Sequence, residues 1–364
     1  VMVLSAMLFL IGTITVSYFA MSNKSIDQDK KVSQIAKQYK ASDEDMENEY
    51  QKAVNNLKVE DYVKVGDYVD YNPTIASKDG TKVEESKLSY TSPIGTASEH
   101  GNGKTEQTFK ATADTKWRVL SIKNGTVELI SENVIKTFDT NSEFVLRGAR
   151  GYLYAEQELN EVCKIFGYGY GADTSKGANY TVGGPADTPI TGKIEGTGAR
   201  SITIEDINKQ AGITEADFTT LSSSYGNTTN QFVDIFYPTV DTTKGNSTTG
   251  ISTKAGVKNI KYTWYSYTKS KIVDTNIQNM LFNGNYWLAS RCFGTIYSDS
   301  GFSVSYVNGV SASGGDRLCY GDSSKLNENT LSRYSVRPVI NLKSDIIDVE
   351  TSSEYNGFKM WNLK

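Results

Sequence analysis

The spacing of apolar residues changes three times along the chain. The opening run, VMVLSAMLFLIGTITVSYFAMSN, carries no charged side chain. As a helix, residues 1–21 would span about 30 Å at about 1.5 Å per residue, the hydrocarbon thickness of a bilayer. That length favours a retained membrane helix over a cleaved signal peptide, which has a shorter apolar region and a basic start. Behind it, Val32, Ile35 and Tyr39, and then Met46, Tyr50, Val54 and Leu57, recur at helical spacing. Ser42 suits an N-cap, with acidic residues in the turn that follows. The pattern predicts a helical stalk over residues 22–58.

From Val59 the period shortens to that of strands. TKWRVLSIKNGTVELISENVI is the strongest hairpin signal: Trp117 and Val119 on one strand, Val127, Leu129 and Ile130 on the return, and Asn124-Gly125 between them. Leu159, Val162, Cys163 and Phe166 then form a helical stripe, with Gly167 as its stop. SITIEDINKQAGI reads as a second helix with Thr203 as N-cap and Glu205 and Asp206 in its first turn. Residues 74–112 and 219–256 are polar and read as long loops. Strands resume at IKYTWYSYT, NYWLAS, GFSVSYV and SVRPVINL. Trp117 and Trp287 are expected in the core, with Tyr286 and Leu288 facing away from Trp287. Pro338 limits ladder pairing, which predicts an edge strand or one that starts past it. The domain is expected over 59–350, followed by a tail over 351–364.

Composition narrows the function classes. Apolar residues make up 38% of the chain, below the usual globular share, and there are 23 Tyr. A net charge of −4 without a long basic run argues against nucleic acid as a partner. The single histidine, His100, lies in a polar stretch, so a His-based triad or metal site has no partners to draw on. No cofactor and no metal site are expected. Of the three cysteines, Cys163 falls on an apolar helical face, while Cys292 and Cys319 flank one loop and could pair in an oxidising compartment. Arg291 and Arg337 adjoin core motifs, and a planar donor fork there suits pinning of loop carbonyls or a carboxylate.

The stretch between those arginines is rich in Tyr, Ser, Gly and Asn, the residues recognition loops use. Asn308-Gly309 is expected to turn a hairpin inside it. Tyr297, Asp299, Tyr306, Asn308, Asp316, Arg317, Tyr320 and Asp322 form the candidate ligand-contacting set.

Five segments carry a resemblance: WRVL…ELISENVI, YLYAEQELNEVC, SITIEDIN, NYWLASR and SVRPVINLKSD. In that order, over roughly residues 63–349, they resemble an uncharacterised domain family of Gram-positive anaerobes and their phages. That family is similar to the C-type-lectin-like fold of formylglycine-generating enzymes and of the variable proteins of diversity-generating retroelements. The resemblance implies an α+β domain in which two helices pack on small twisted antiparallel sheets. The opening helix resembles that of type IV pilins in layout, with Ser5 where pilins carry Glu. Together these imply an adhesin-like protein held at the cell surface, anchored to a membrane through residues 1–21 or built into a filament. Its expected partner is a glycan or protein ligand on another surface, and self-association in a homo-oligomer or pilus is the structural alternative. The formylglycine-generating relatives use a metal-holding cysteine pair, for which only Cys292 and Cys319 are candidates; their setting offers no basic partner beyond Arg291 and Arg317 to lower a thiol pKa, so no enzyme is expected.

Overall fold

Asparagine-glycine pairs set the first hairpin. In the computed structural model Asn124 and Gly125 both adopt positive φ, at 51° and 74°, the geometry that matches the right-handed twist of two antiparallel strands. The structure describes residues 58–92, 106–136, 143–182, 190–214, 234–238, 251–256, 262–263, 266–296, 299–314, 318–321, 326–328 and 331–364. The chain divides into two units, Val1–Lys58 and Val59–Lys364, and the second is described here.

In chain order its helices are α1 (Val59–Tyr62), α2 (Gly148–Cys163), α3 (Ile204–Gln210) and α4 (Thr275–Leu281). The strands up to the second helix are β1 (Tyr68–Val69), β2 (Ser89–Ser92), β3 (Gln107–Lys110), β4 (Trp117–Lys123), β5 (Thr126–Ser131) and β6 (Phe144–Arg147). Next come β7 (Ala178–Val182), β8 (Ile190–Ile194), β9 (Ala199–Ser201), β10 (Asp234–Pro238), β11 (Ile251–Gly256), β12 (Tyr262–Thr263) and β13 (Ser266–Thr268). The last group is β14 (Asn285–Ile296), β15 (Asp299–Asn308), β16 (Ser311–Gly314), β17 (Cys319–Gly321), β18 (Leu326–Glu328), β19 (Leu331–Tyr334), β20 (Pro338–Lys343), β21 (Ile347–Tyr355) and β22 (Phe358–Leu363).

Two seven-stranded sheets dominate. One has the order β21-β22-β1-β4-β5-β20-β9. The other runs β12-β14-β15-β16-β13, with β17 and β18 added beside β15. Leu120, Ile130 and Val339 of the first sheet share one buried cluster with Tyr286, Leu288, Cys292, Val307 and Ala312 of the second. Ile204 and Ile207 of α3 and Met280 and Leu281 of α4 complete that cluster. Burying those side chains at roughly 25 cal/mol per Å² of apolar surface is the largest favourable term in such a fold. Trp117 and Trp287 are both fully buried.

The helix α2 forms over the predicted stripe: Leu159, Val162, Cys163 and, one turn on, Phe166 are all buried. Thr203 caps α3 with a reciprocal capping box to Asp206.

The expected fold class is overturned. The chain is mostly β, with 44% strand, and its large sheets replace the small sheets of a lectin-like α+β domain. Among the described residues no helix is long and apolar enough to cross a membrane. The expected membrane helix over 1–21 and nearly all of the stalk over 22–58 lie outside the described residues.

Several polar segments read as loops or tail are strands. Residues within 74–112 pair as β2 and β3. The expected tail, 351–364, belongs to β21 and β22, where Trp361 is 2% exposed and β22 runs parallel to β1. Asn356-Gly357 turns that hairpin at positive φ, as Asn124-Gly125 turns the first. A strand with a covered and an uncovered face, or one at a sheet edge, needs few apolar residues, so its polarity mimics that of a loop. Pro338 opens β20 rather than marking an edge: the strand lies between β5 and β9, and as its first residue Pro338 pairs only with Ser201 of β9.

Candidate functional site

The strand β14 carries two faces. Tyr286 and Leu288 enter the shared core. Trp287 points the other way and donates its indole N–H to the Phe144 carbonyl at 2.7 Å. Its cross-strand partner is Tyr306 of β15, which in turn pairs with Ser313 of β16; Ser313 pairs with Ser266 of β13. Directly opposed residues of antiparallel strands share a face. Two positions along, Asn285 pairs with Asn308, and Ser311 pairs with Thr268. Two rows therefore cross four strands on one face: Trp287–Tyr306–Ser313–Ser266, and Asn285–Asn308 continuing to Ser311–Thr268.

The far half of this face is covered by α2. There Arg291, 8% exposed, sets its Nε 3.3 Å from Glu156 Oε1 and its guanidinium over the Tyr152 ring at 5.5 Å. Glu156 also accepts the Thr181 backbone N–H at 2.9 Å. The near half is open: Asn285 and Thr268 are exposed, and Tyr306, Asn308, Ser311 and Ser313 are half-buried. Tyr334 of β19 lies over it, its ring stacked on Tyr306 at 4.3 Å and 25°, and edge-on to Trp287 at 4.6 Å. Both tyrosines stay half-buried, so the stack keeps a solvent-facing side.

Asn308 also builds the turn. Its Oδ1 accepts from Val310 N at 3.2 Å, Ser311 N at 2.8 Å and Ser311 Oγ at 2.9 Å, an Asx-type arrangement. The loop is Gly309-Val310, one residue later than the Asn308-Gly309 turn expected, with Gly309 at φ 79°. The loop's base is held by Lys269 N donating to the Val310 carbonyl at 2.9 Å. Beside Thr268, its hydroxyl and that of Ser270 lie 2.6 Å apart.

Arg337 seats the whole strand. It is fully buried and its guanidinium reaches the carbonyls of Ser131, Glu132, Met280 and Leu281 while stacking over Tyr286 at 5.1 Å. Met280 and Leu281 end α4, where the helix dipole favours a cation. Burial pulls the Arg337 pKa down from its ordinary value. The adjoining Ser335 fixes β14 by two backbone bonds, Trp287 N to Ser335 O at 2.9 Å and Ser335 N to Asn285 O at 3.1 Å.

Of the eight candidate contact residues, the four in described strands fall at two separate places along β15. Tyr306 and Asn308 share the open half-face. Asp299 pairs with Ile296 and Tyr320 with Gly301, at the opposite end of β15. Seven residues separate Asp299 from Tyr306, about 23 Å along a strand. Tyr297, Asp316, Arg317 and Asp322 lie outside the described residues. Sequence reasoning missed Asn285, Thr268, Ser311, Ser313 and Tyr334. Strict alternation in NYW, YVN and SAS held the signal for most of them; Tyr334 carried none, because its place depends on β19 pairing with β6.

The pairing of Cys292 with Cys319 is excluded by the same register. Cys292 stands opposite Ser303 on one side of β15, and Cys319 opposite Phe302 on the other. Two strand spacings, about 9–10 Å, separate their backbones, beyond the ~7 Å reach of a disulfide. Among the described residues no three His, Cys, Asp or Glu side chains group to hold a metal ion.

By its residue types the open half-face offers hydroxyls, amides and aromatic edges among the described residues, groups that can make non-covalent contacts. No protein-family model, curated protein or solved structure matches the chain.

Proposed function

We propose that this protein is a recognition protein of the adhesin type, displayed outside the cytoplasm, which holds a ligand on the open half-face of the β14–β15–β16–β13 sheet. The observation that carries the reading is the stack of Tyr306 on Tyr334 beside a row of Asn, Ser and Thr that α2 leaves uncovered. A face with no ligand has little use for paired tyrosines at its surface, since aromatic rings bury most of their area in cores and interfaces. The strand beneath is held in place: Trp287 is bonded to Phe144, and Arg337 and Ser335 anchor β14 and its neighbours. A fixed surface binds without an ordering cost. Display outside the cytoplasm rests on the uncharged opening sequence rather than on any described element.

The test is binding of the labelled full chain to intact cells and to cell-surface polymers, beside the double variant Asn285→Ala/Tyr306→Ala. Retained melting temperature with lost binding places the ligand on this face. Equal binding by the two proteins would remove the face from the function.

A further inference from the structure

We infer that the ligand is a neutral oligosaccharide, a conclusion that rests on the recognition reading and goes on to name the ligand's chemistry. Three observations converge on it.

First, the two rows contain no charged residue: Trp287, Tyr306 and Ser313 in one, Asn285, Asn308, Ser311 and Thr268 in the other. Farther along the face, Arg291 is matched by Glu156. An anionic ligand would meet no cation in the rows to repay its desolvation, and a cationic one no carboxylate.

Second, the donors and acceptors suit hydroxyl groups. The Asn308 Oδ1 is consumed by the turn, but its half-exposed amide N–H groups donate to nothing among the described residues. Asn285 is exposed on the neighbouring strand and has both amide functions available. A hydroxyl is donor and acceptor at once, so it satisfies either end of an amide.

Third, these groups flank an aromatic stack. The Tyr306–Tyr334 pair gives a flat apolar surface with phenolic edges, 4.3 Å from ring to ring. A sugar ring has an apolar C–H face and a hydroxyl rim, which is complementary to a ring surface bordered by amides and hydroxyls. A peptide would need a groove or a free edge for its backbone; β14, β15 and β16 have strands on both sides, which leaves only β13, at the end of the strand order, as an edge among the four.

The rows set the ligand's size. Three strand spacings give about 14 Å across, and two residues along give about 7 Å. That footprint is elongated and fits several linked rings, so an oligosaccharide should bind more tightly than its monosaccharide.

The experiment uses the full chain on an array of neutral, sialylated, sulfated and uronate-bearing glycans, and on cells treated with periodate or with protease. Supporting results are binding to neutral oligosaccharides, little change from low to high salt, and loss on periodate-treated but not protease-treated cells. Tyr306→Ala should bind about tenfold or more weakly, a loss typical of an aromatic anchor. Tyr306→Phe keeps the ring and should retain most of the affinity. Asn285→Ala, at an exposed position that no core contact needs, should weaken binding by about three- to tenfold, the worth of one or two hydrogen bonds. Preference for acidic glycans with salt-sensitive affinity overturns the inference. So does unchanged binding by both Tyr306→Ala and Asn285→Ala. Cell binding that protease removes and periodate spares identifies a protein ligand: it overturns the glycan and leaves recognition standing. Absence of binding to every glycan and every cell overturns both.

Discussion

Replacing Arg337 by Ala should be among the costliest single changes in this fold. The side chain is fully buried, and it donates to four carbonyls on two separate elements: Ser131 and Glu132 at the end of β5, Met280 and Leu281 at the end of α4. Truncation removes the guanidinium donors from the buried Ser131 and Met280 carbonyls and leaves a cavity beside Tyr286. The lost charge-assisted hydrogen bonds and the cavity together cost about 3–5 kcal/mol. For a unit of this size that corresponds to a fall in melting temperature on the order of 10 °C. Arg337→Lys should recover less than half of the loss, because an ammonium presents its donors from one point and cannot span both elements. Urea unfolding followed by tryptophan fluorescence measures all three proteins, with Trp287 reporting from the neighbouring strand. A loss under about 1 kcal/mol for Ala, or full recovery by Lys, would refute the clamp. The same variant should also weaken ligand binding, because Ser335 and Asn285 sit on the clamp's output.

Four further outcomes follow from the geometry. Arg200 is bidentate to Asp206, at 2.6 and 2.8 Å, and holds that carboxyl below the ordinary aspartate range despite its burial. Because the folded value is depressed, the stabilisation is complete above the unfolded aspartate pKa of about 4 and is lost as pH falls through the lower folded value; Asp206→Asn should flatten the acid limb of a stability–pH profile. Cys163 is buried and its thiol is pushed well above the ordinary range, so maleimide should label it only after unfolding. Peptide mapping without reductant should find Cys292 and Cys319 on unlinked peptides. Trp361→Ala should cost about 3–5 kcal/mol, a loss that a solvent-exposed tail would not show; it buries its ring and donates its indole N–H to Asp67 at 2.9 Å.

Sequence alone determined what depends on neighbours along the chain. The β4–β5 hairpin follows from Asn124-Gly125 and the alternation around it. The register of α2 follows from Leu159, Val162 and Cys163, and the start of α3 from Thr203 and Asp206. Those signals are local: a turn dihedral, a 3.6-residue stripe, a cap. It also marked Tyr306 and Asn308, through the composition of their stretch. Tertiary structure decided the rest. Tyr334 reaches Tyr306 only because β19 pairs with β6, and Ser311 and Thr268 join one row only through the register of β13 on β16. Cys292 and Cys319 flank one loop in sequence, yet β15 runs between them. Residues 351–364 look like a tail until β22 finds β1, nearly 300 positions away. Strand pairing is a choice among distant partners, and closing a longer loop costs little more than closing a short one. Nothing local therefore marks which polar strand will be chosen, and the face that two distant strands build together exists only after the choice is made.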